Sequence, residues 1–212
     1  MSCPICEKRK VGRFCPAKGE QICAVCCGTE REVTIACSPD CAYLASAHRY
    51  EDQHKREVPA DTPFLEERLP PGTLHTHQPL MAALAFTTAK VCTTQPSATD
   101  PDALAALRAL AETYKTLISG IYYEKIPDSP VQREIYTALT ALLDDLKQKQ
   151  AATGTSDTLK NQDIFYVAIF LFRMGLLRGN GRPRSRRFIE FLRGQFPQAE
   201  ELKREEPRII MP

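Results

Sequence analysis

Tryptophan is absent from this chain of 212 residues, and histidine is scarce, with four copies. No stretch of apolar residues is long enough to cross a bilayer, because a spanning helix needs about 20 of them. The longest apolar run, Ile164–Leu177, is interrupted by Arg173. We therefore expect no membrane-spanning segment and no membrane partner.

The first residues also lack the basic start and apolar stretch of a secretory signal peptide. We therefore expect a cytoplasmic location, where a reducing environment keeps thiols available for metal. Three enzyme motifs are missing as well: a Gly-rich phosphate loop, H-E-x-x-H and G-x-S-x-G. None of the four histidines lies near an obvious nucleophile in the sequence. The sequence thus predicts a protein that is not an enzyme and has no catalytic residues.

Cysteine is present but unevenly placed, since eight of the nine copies lie between positions 3 and 41. Two C-x-x-C pairs have the spacing at which a tight turn directs two thiolates at one ion. Ser38 and Pro39 favour a helix start, and the helix is predicted to run to about Arg56. Its first turn would hold Cys41, whose thiolate the helix dipole favours. The predicted metal ligands are Cys3, Cys6, Cys15, Cys23, Cys26, Cys27, Cys37 and Cys41.

Eight thiols match two four-cysteine sites, so the predicted cofactor is zinc, with two Zn²⁺ per chain. In an extended backbone the adjacent side chains of Cys26 and Cys27 would point to opposite faces and serve different ions. The preferred assignment places one ion on Cys3, Cys6, Cys23 and Cys26, and the other on Cys15, Cys27, Cys37 and Cys41. An all-cysteine set leaves no open coordination position, which indicates a structural role.

Alternatives to this assignment remain open. Disulfides, a redox C-x-x-C pair and an iron–sulfur cluster use the same residue type. His48, which lies on the predicted helix after Cys41, could replace one cysteine as a ligand.

The C-x-x-C knuckle, short hairpins and ligands at a helix start resemble treble-clef and cross-brace zinc fingers of the HIT and MYND types over residues 3–50. This resemblance implies structural zinc and a role in protein contacts. The pattern departs from those families at Cys15, which has no near partner, and at the contiguous Cys26-Cys27.

The remainder of the chain predicts helices. Apolar residues recur at helical spacing after Asp100-Pro101 and Ser129-Pro130, and further helices are expected at 80–91, at 159–177 and from Ser185 to Phe196. The predicted fold class is a small zinc-stabilised α+β module, with short hairpins plus one helix, followed by an all-α bundle of four to six helices. The predicted boundaries are 1–56 for the module, 57–79 for a Pro-rich linker, 80–197 for the bundle and 198–212 for an extended tail.

Basic residues concentrate in 173–193, where seven arginines face one glutamate and the local net charge is +6. Such a stretch attracts phosphate backbones, and the candidate contacts are Arg182, Arg184, Arg186 and Arg187. The arginines could instead dock within the protein. Eight thiolates with two Zn²⁺ would shift the formal net charge from +2 to −2, which weighs against nucleic acid.

The favoured prediction is a zinc-binding adaptor with an unidentified protein partner. RNA or DNA binding through 173–193 is the alternative. The sequence leaves the oligomeric state open.

Overall fold

The structure, a computed structural model, describes residues 1–54, 57–153 and 159–196. The predicted tail at 198–212 and the predicted helix end at Arg56 therefore lie outside the described residues. In the described part, a two-stranded antiparallel hairpin at the N-terminus precedes eight helices. The elements are β1 Arg13–Cys15, β2 Glu20–Ile22, α1 Ala24–Glu30, α2 Ala42–Gln53, α3 Thr73–Thr76, α4 Gln78–Thr94, α5 Asp100–Ile118, α6 Pro130–Thr153, α7 Asn161–Arg178 and α8 Arg187–Gln195. None of these helices is both long and apolar enough to span a membrane.

The N-terminal module differs from the prediction in its count of elements. One hairpin is formed, with Cys15 opposite Glu20 and Gly19 in a left-handed conformation at the turn (φ +67°). Within the described module there are two helices, because the seven-residue α1 precedes α2. Helical periodicity could not predict so short a helix, whose start depends on the Cys23 side chain accepting a hydrogen bond from the Cys26 N–H.

Helix α2 begins later than the Ser38-Pro39 signal predicted. Its N-cap is Cys41, with an extended backbone, and Ser38 accepts a turn hydrogen bond from the Cys41 N–H instead (3.0 Å). Cys41 thus lies at the start of the helix rather than inside its first turn.

The predicted linker, residues 57–79, packs against the helices of the bundle. Phe64 packs edge to face on Phe165 of α7, and the Arg173 guanidinium donates to the carbonyl of Glu67 (2.6 Å). Lys115 pairs with the Glu67 carboxylate at 2.7 Å. The segment also contains the short helix α3, and α4 begins within its predicted range.

Helices α4 to α8 form a bundle of five, within the predicted four to six. Helix α5 packs most extensively against α7 and also against α6, while α4 packs against α6 and α8. The close approach of α5 and α7 depends on Gly175, where an added Cβ would lie 2.6 Å from Leu104 Cδ2. Seven apolar side chains of α7 are buried in the bundle core.

The N-cap of α8 is Arg186 rather than Ser185, the predicted start of the helix, although Ser185 Oγ accepts a hydrogen bond from the Arg187 N–H (3.3 Å). The buried Ser185 hydroxyl donates to the Asp100 carboxylate (2.6 Å), and α8 begins two residues later. Asp100, at the start of α5, accepts from the N–H groups of Phe188 and Ile189 at 3.1 Å each. A carboxylate from a distant helix therefore accepts hydrogen bonds from the free N–H groups at the start of α8. No local sequence pattern predicts this contact.

Candidate metal centre

The first C-x-x-C pair lies in a tight turn closed by backbone hydrogen bonds. The Glu7 N–H donates to the Cys3 carbonyl (2.7 Å), and the Cys3 N–H donates to the Arg9 carbonyl (2.7 Å). Glu7 adopts a left-handed backbone (φ 55°), which reverses the chain after the second cysteine. The turn thereby brings the Cys3 and Cys6 thiols to the same site.

The second C-x-x-C pair comes from the start of α1, directly after β2. The Cys23 N–H donates to Cys3 Sγ, and the Cys26 N–H donates to Cys23 Sγ, both at 3.3 Å. Backbone N–H groups that point at sulfur stabilise the charged thiolate, which is the form that binds metal. The hairpin therefore links two short motifs that are distant in sequence into one cluster.

The four sulfurs have the geometry of a metal site. The Sγ atoms of Cys3, Cys6, Cys23 and Cys26 all lie within 4.8 Å of one another. The separation of Cys6 and Cys23 is 3.9 Å, and tetrahedral coordination at a zinc–sulfur distance of about 2.3 Å implies sulfur separations of about 3.8 Å. Three of the four side chains are buried, Cys6 is half-buried, and all nine cysteines of the chain are free thiols. The predicted first ligand set therefore fits a metal ion.

The thiols of this group have opposing pKa shifts. Hydrogen bonds from the Lys8 and Arg9 backbones lower the pKa of Cys6 to about 6. Burial and the three neighbouring cysteines raise the pKa of Cys26 to about 12. Four negative sulfurs cannot crowd together in a buried site without compensation, so a divalent cation is the natural counter-charge.

The second predicted ligand set is less closely assembled. Among the described residues, only the first set brings three or more ligand atoms within 4.8 Å of one another. Cys37 nevertheless has Cys15 and Cys41 as electrostatic neighbours: burial raises its pKa, and the charges of Glu32 and of these two cysteines raise it further. Cys27 accepts a hydrogen bond from Arg13 (3.8 Å) and packs at the edge of the module core.

The extended backbone predicted for Cys26 and Cys27 is wrong. Both residues lie in α1, and neither is extended. On a helix, adjacent side chains diverge by about 100°, which still prevents them from facing the same point. Cys26 joins the first group, and Cys27 stays outside it.

Glu32, which the sequence did not single out, is the most buried charged residue of the module, at 3% exposure. Its carboxylate accepts from Asn180 Nδ2 (2.7 Å) and lies 3.2 Å from His48 Nε2. These partners hold its pKa below the ordinary value although burial alone would raise it. His48 is therefore engaged with a carboxylate. The sequence held only two signals for this contact: Glu32 is an acidic residue between two predicted ligand cysteines, and Asn180 lies between two glycines.

The four candidate phosphate contacts are placed at the junction between module and bundle, and three of their guanidinium groups bind protein. Arg182 donates to the carbonyls of Gly28 and Arg31. Arg187 pairs with Glu51 and Asp52 of α2.

Arg186 donates to the carbonyls of Cys92 and Pro96 at 2.9 Å each, at the end of α4. Arg184 has an exposed side chain, and its backbone N–H donates to the Glu32 carbonyl (2.8 Å). These contacts favour the interpretation that the arginine-rich stretch docks within the protein, and nucleic-acid binding stays an untested prediction.

Comparison of the chain with family models, with curated proteins and with solved structures gave no match in any of the three. The class that fold and site define is therefore a helical protein with an N-terminal hairpin and a Cys₄ group that could hold a metal ion. The resemblance to treble-clef fingers stays a prediction from the sequence pattern.

Proposed function

We propose that the protein is a non-enzymatic adaptor whose N-terminal module is stabilised by structural zinc. The arrangement of Cys3, Cys6, Cys23 and Cys26 carries this proposal, because an all-sulfur tetrahedral set is the preferred environment of structural zinc. The zinc would neutralise the crowded thiolates and connect the turn at 3–6 to the start of α1. No coordination position would remain for a substrate.

A second zinc on Cys15, Cys27, Cys37 and Cys41 belongs to the same proposal. The electrostatic proximity of Cys37 to Cys15 and Cys41 supports it, as does the fact that Cys27 stays outside the first group. Binding there requires the sulfur atoms to draw closer than they lie in the structure.

Zinc content and thiol reactivity together test both sites. Native mass spectrometry of purified protein should show two zinc ions per chain, and one or none would contradict the two-site assignment. A chain with one zinc at the first site would leave the thiols of the second set open to a maleimide reagent, whereas two zinc ions would protect all eight. A chain that binds no zinc would overturn the proposal altogether.

An exposed apolar segment supports the protein-contact part of the proposal. Between α5 and α6, residues 118–126 present five large apolar side chains to solvent, with Tyr122 at 81% exposure. Hydrogen bonds hold the segment on α5, since Thr116 donates to the Tyr123 carbonyl (3.0 Å) and the Lys125 N–H donates to Thr113 (2.9 Å). A row of apolar groups on an ordered backbone is typical of an interaction surface.

Capture from lysate with matched variants tests this surface. Tyr122→Ser with Tyr123→Ser should release partners that the wild-type protein retains, while Leu177→Ser, an equally exposed apolar change elsewhere, should not. The same bound fractions should be checked for RNA and DNA. Nucleic acid that is retained by the tyrosine variant and lost on Arg184→Glu would favour the alternative function.

A further inference from the structure

We infer that Asn180 and Arg182 of the bundle are positioning residues for the second zinc site, so that zinc affinity at that site and docking of the two parts are coupled. This inference rests on the second site of the proposed function. The two residues lie in the loop between α7 and α8 and touch the segment 28–32, which follows one predicted ligand and precedes another.

Asn180 acts on the ligand side through Glu32. Glu32 and Cys37 line the same cavity, where the Glu32 carboxylate is buried. Asn180 Nδ2 donates to this carboxylate at 2.7 Å, while the Arg184 N–H holds the Glu32 carbonyl at 2.8 Å. The loop thus fixes both the backbone and the side chain of a residue that lines a cavity together with a predicted zinc ligand.

Arg182 acts on the other end of the same segment. Its guanidinium donates to the Arg31 carbonyl at 2.6 Å and lies 3.4 Å from the carbonyl of Gly28, the residue after Cys27. These carbonyls lie at the C-terminal end of α1, where helical carbonyls lack partners within the helix and attract cations. The arginine thereby fixes the end of the helix that carries Cys27.

Because this segment is held at both ends, less conformational entropy is lost when the cysteines on either side of it, Cys27 and Cys37, bind an ion. Coupling is reciprocal: if docking raises zinc affinity by some factor, zinc raises the docking equilibrium by the same factor. The first site lacks this dependence, because its hydrogen bonds come from residues 3–26 alone.

The test measures the two zinc affinities separately. Native mass spectrometry across a series of chelator concentrations resolves chains with two, one and no zinc, and ligand variants assign each step to a site. Arg182→Ala and Asn180→Ala should weaken the second zinc by a factor of about 5 to 150, the usual range of coupling between sites. They should leave the first zinc unchanged. Arg182→Lys keeps one donor, so its affinity for the second zinc should lie between those of the wild-type protein and Arg182→Ala. Arg108→Ala, which removes an exposed pair with Glu112 on α5, is the matched control.

Hydrogen exchange of the wild-type protein provides a second readout that needs no variant. Removal of the second zinc alone should speed amide exchange in 28–36 and 180–187, including the Arg184 N–H, and leave α5 and α7 protected. This inference alone would be overturned if the protein binds two zinc ions and neither affinity changes in the Arg182 and Asn180 variants. It would also be overturned if amide exchange in 180–187 stays slow after the second zinc is removed. A wild-type chain that holds a single zinc would overturn both this inference and the second site.

Discussion

The module and the bundle differ in the side chains that form their buried cores. In the described residues, the bundle encloses 27 buried apolar side chains, whereas the module encloses seven, of which four are cysteines. The bundle can therefore be stabilised by removal of apolar surface from water. The module has too few such groups for that, so we expect its stability to depend on its thiols and on the loop that binds Glu32. We therefore expect different perturbations to unfold the module and the bundle.

The largest expected effect is loss of a first-site thiol. Cys23→Ser should unfold the module, because structural zinc would contribute on the order of 10 kcal/mol, while the serine hydroxyl can still cap α1. Zinc content and two-dimensional NMR measure the change, and the bundle signals should persist. A variant that keeps native module signals without zinc would show that the module has a sufficient core of its own.

The converse perturbation is a cavity in the bundle. Leu139→Ala should lower the free energy of unfolding of the bundle by about 2–5 kcal/mol, because this side chain is fully buried in the core. Chemical denaturation followed by circular dichroism measures the loss, with the exposed Leu177→Ala as control. Zinc content should remain that of the wild-type protein, and a loss of zinc would erase the distinction between the two parts.

A smaller effect is expected at the polar contact between α5 and α8. Asp100→Asn should cost about 1–3 kcal/mol at pH 7, because its amide nitrogen cannot accept from the N–H groups of α8. Burial raises the pKa of Asp100, so the native protein takes up the proton more readily than the unfolded chain does. Wild-type stability should therefore rise relative to the variant as pH falls through the raised pKa. Denaturation curves at several pH values measure this difference, and a pH-independent gap would contradict it.

The smallest effect concerns the one cysteine outside the module. Burial raises the pKa of Cys92 to about 12, so its thiolate at pH 8 is rarer by about three orders of magnitude than that of an ordinary thiol. Cys92 should stay unmodified by maleimide in the native protein, even after a chelator exposes the other eight thiols. Peptide mass spectrometry measures the modification, and prompt labelling would mean that the bundle opens with the module.

Much of the fold could be predicted from the sequence, because its signals are local. A capping residue, a proline and a regular apolar spacing predict the helices that start near Asp100 and Ser129. The two C-x-x-C pairs of the first metal group could also be predicted, since each pair is a single turn. Helix α1 and the cap of α8 could not, because each depends on a side chain outside the ordinary helical pattern.

By itself, the sequence determined which residues can bind metal and where the long helices lie. Both depend on neighbours within a few positions, whose spacing is set by one turn of backbone. The tertiary structure decided that Cys23 and Cys26 meet Cys3 and Cys6, that Glu32 is buried, and that most of the candidate arginines turn inward. The contact of Glu32 with Asn180 spans 148 positions, so it exists only once the bundle has packed and brought its loop to the module.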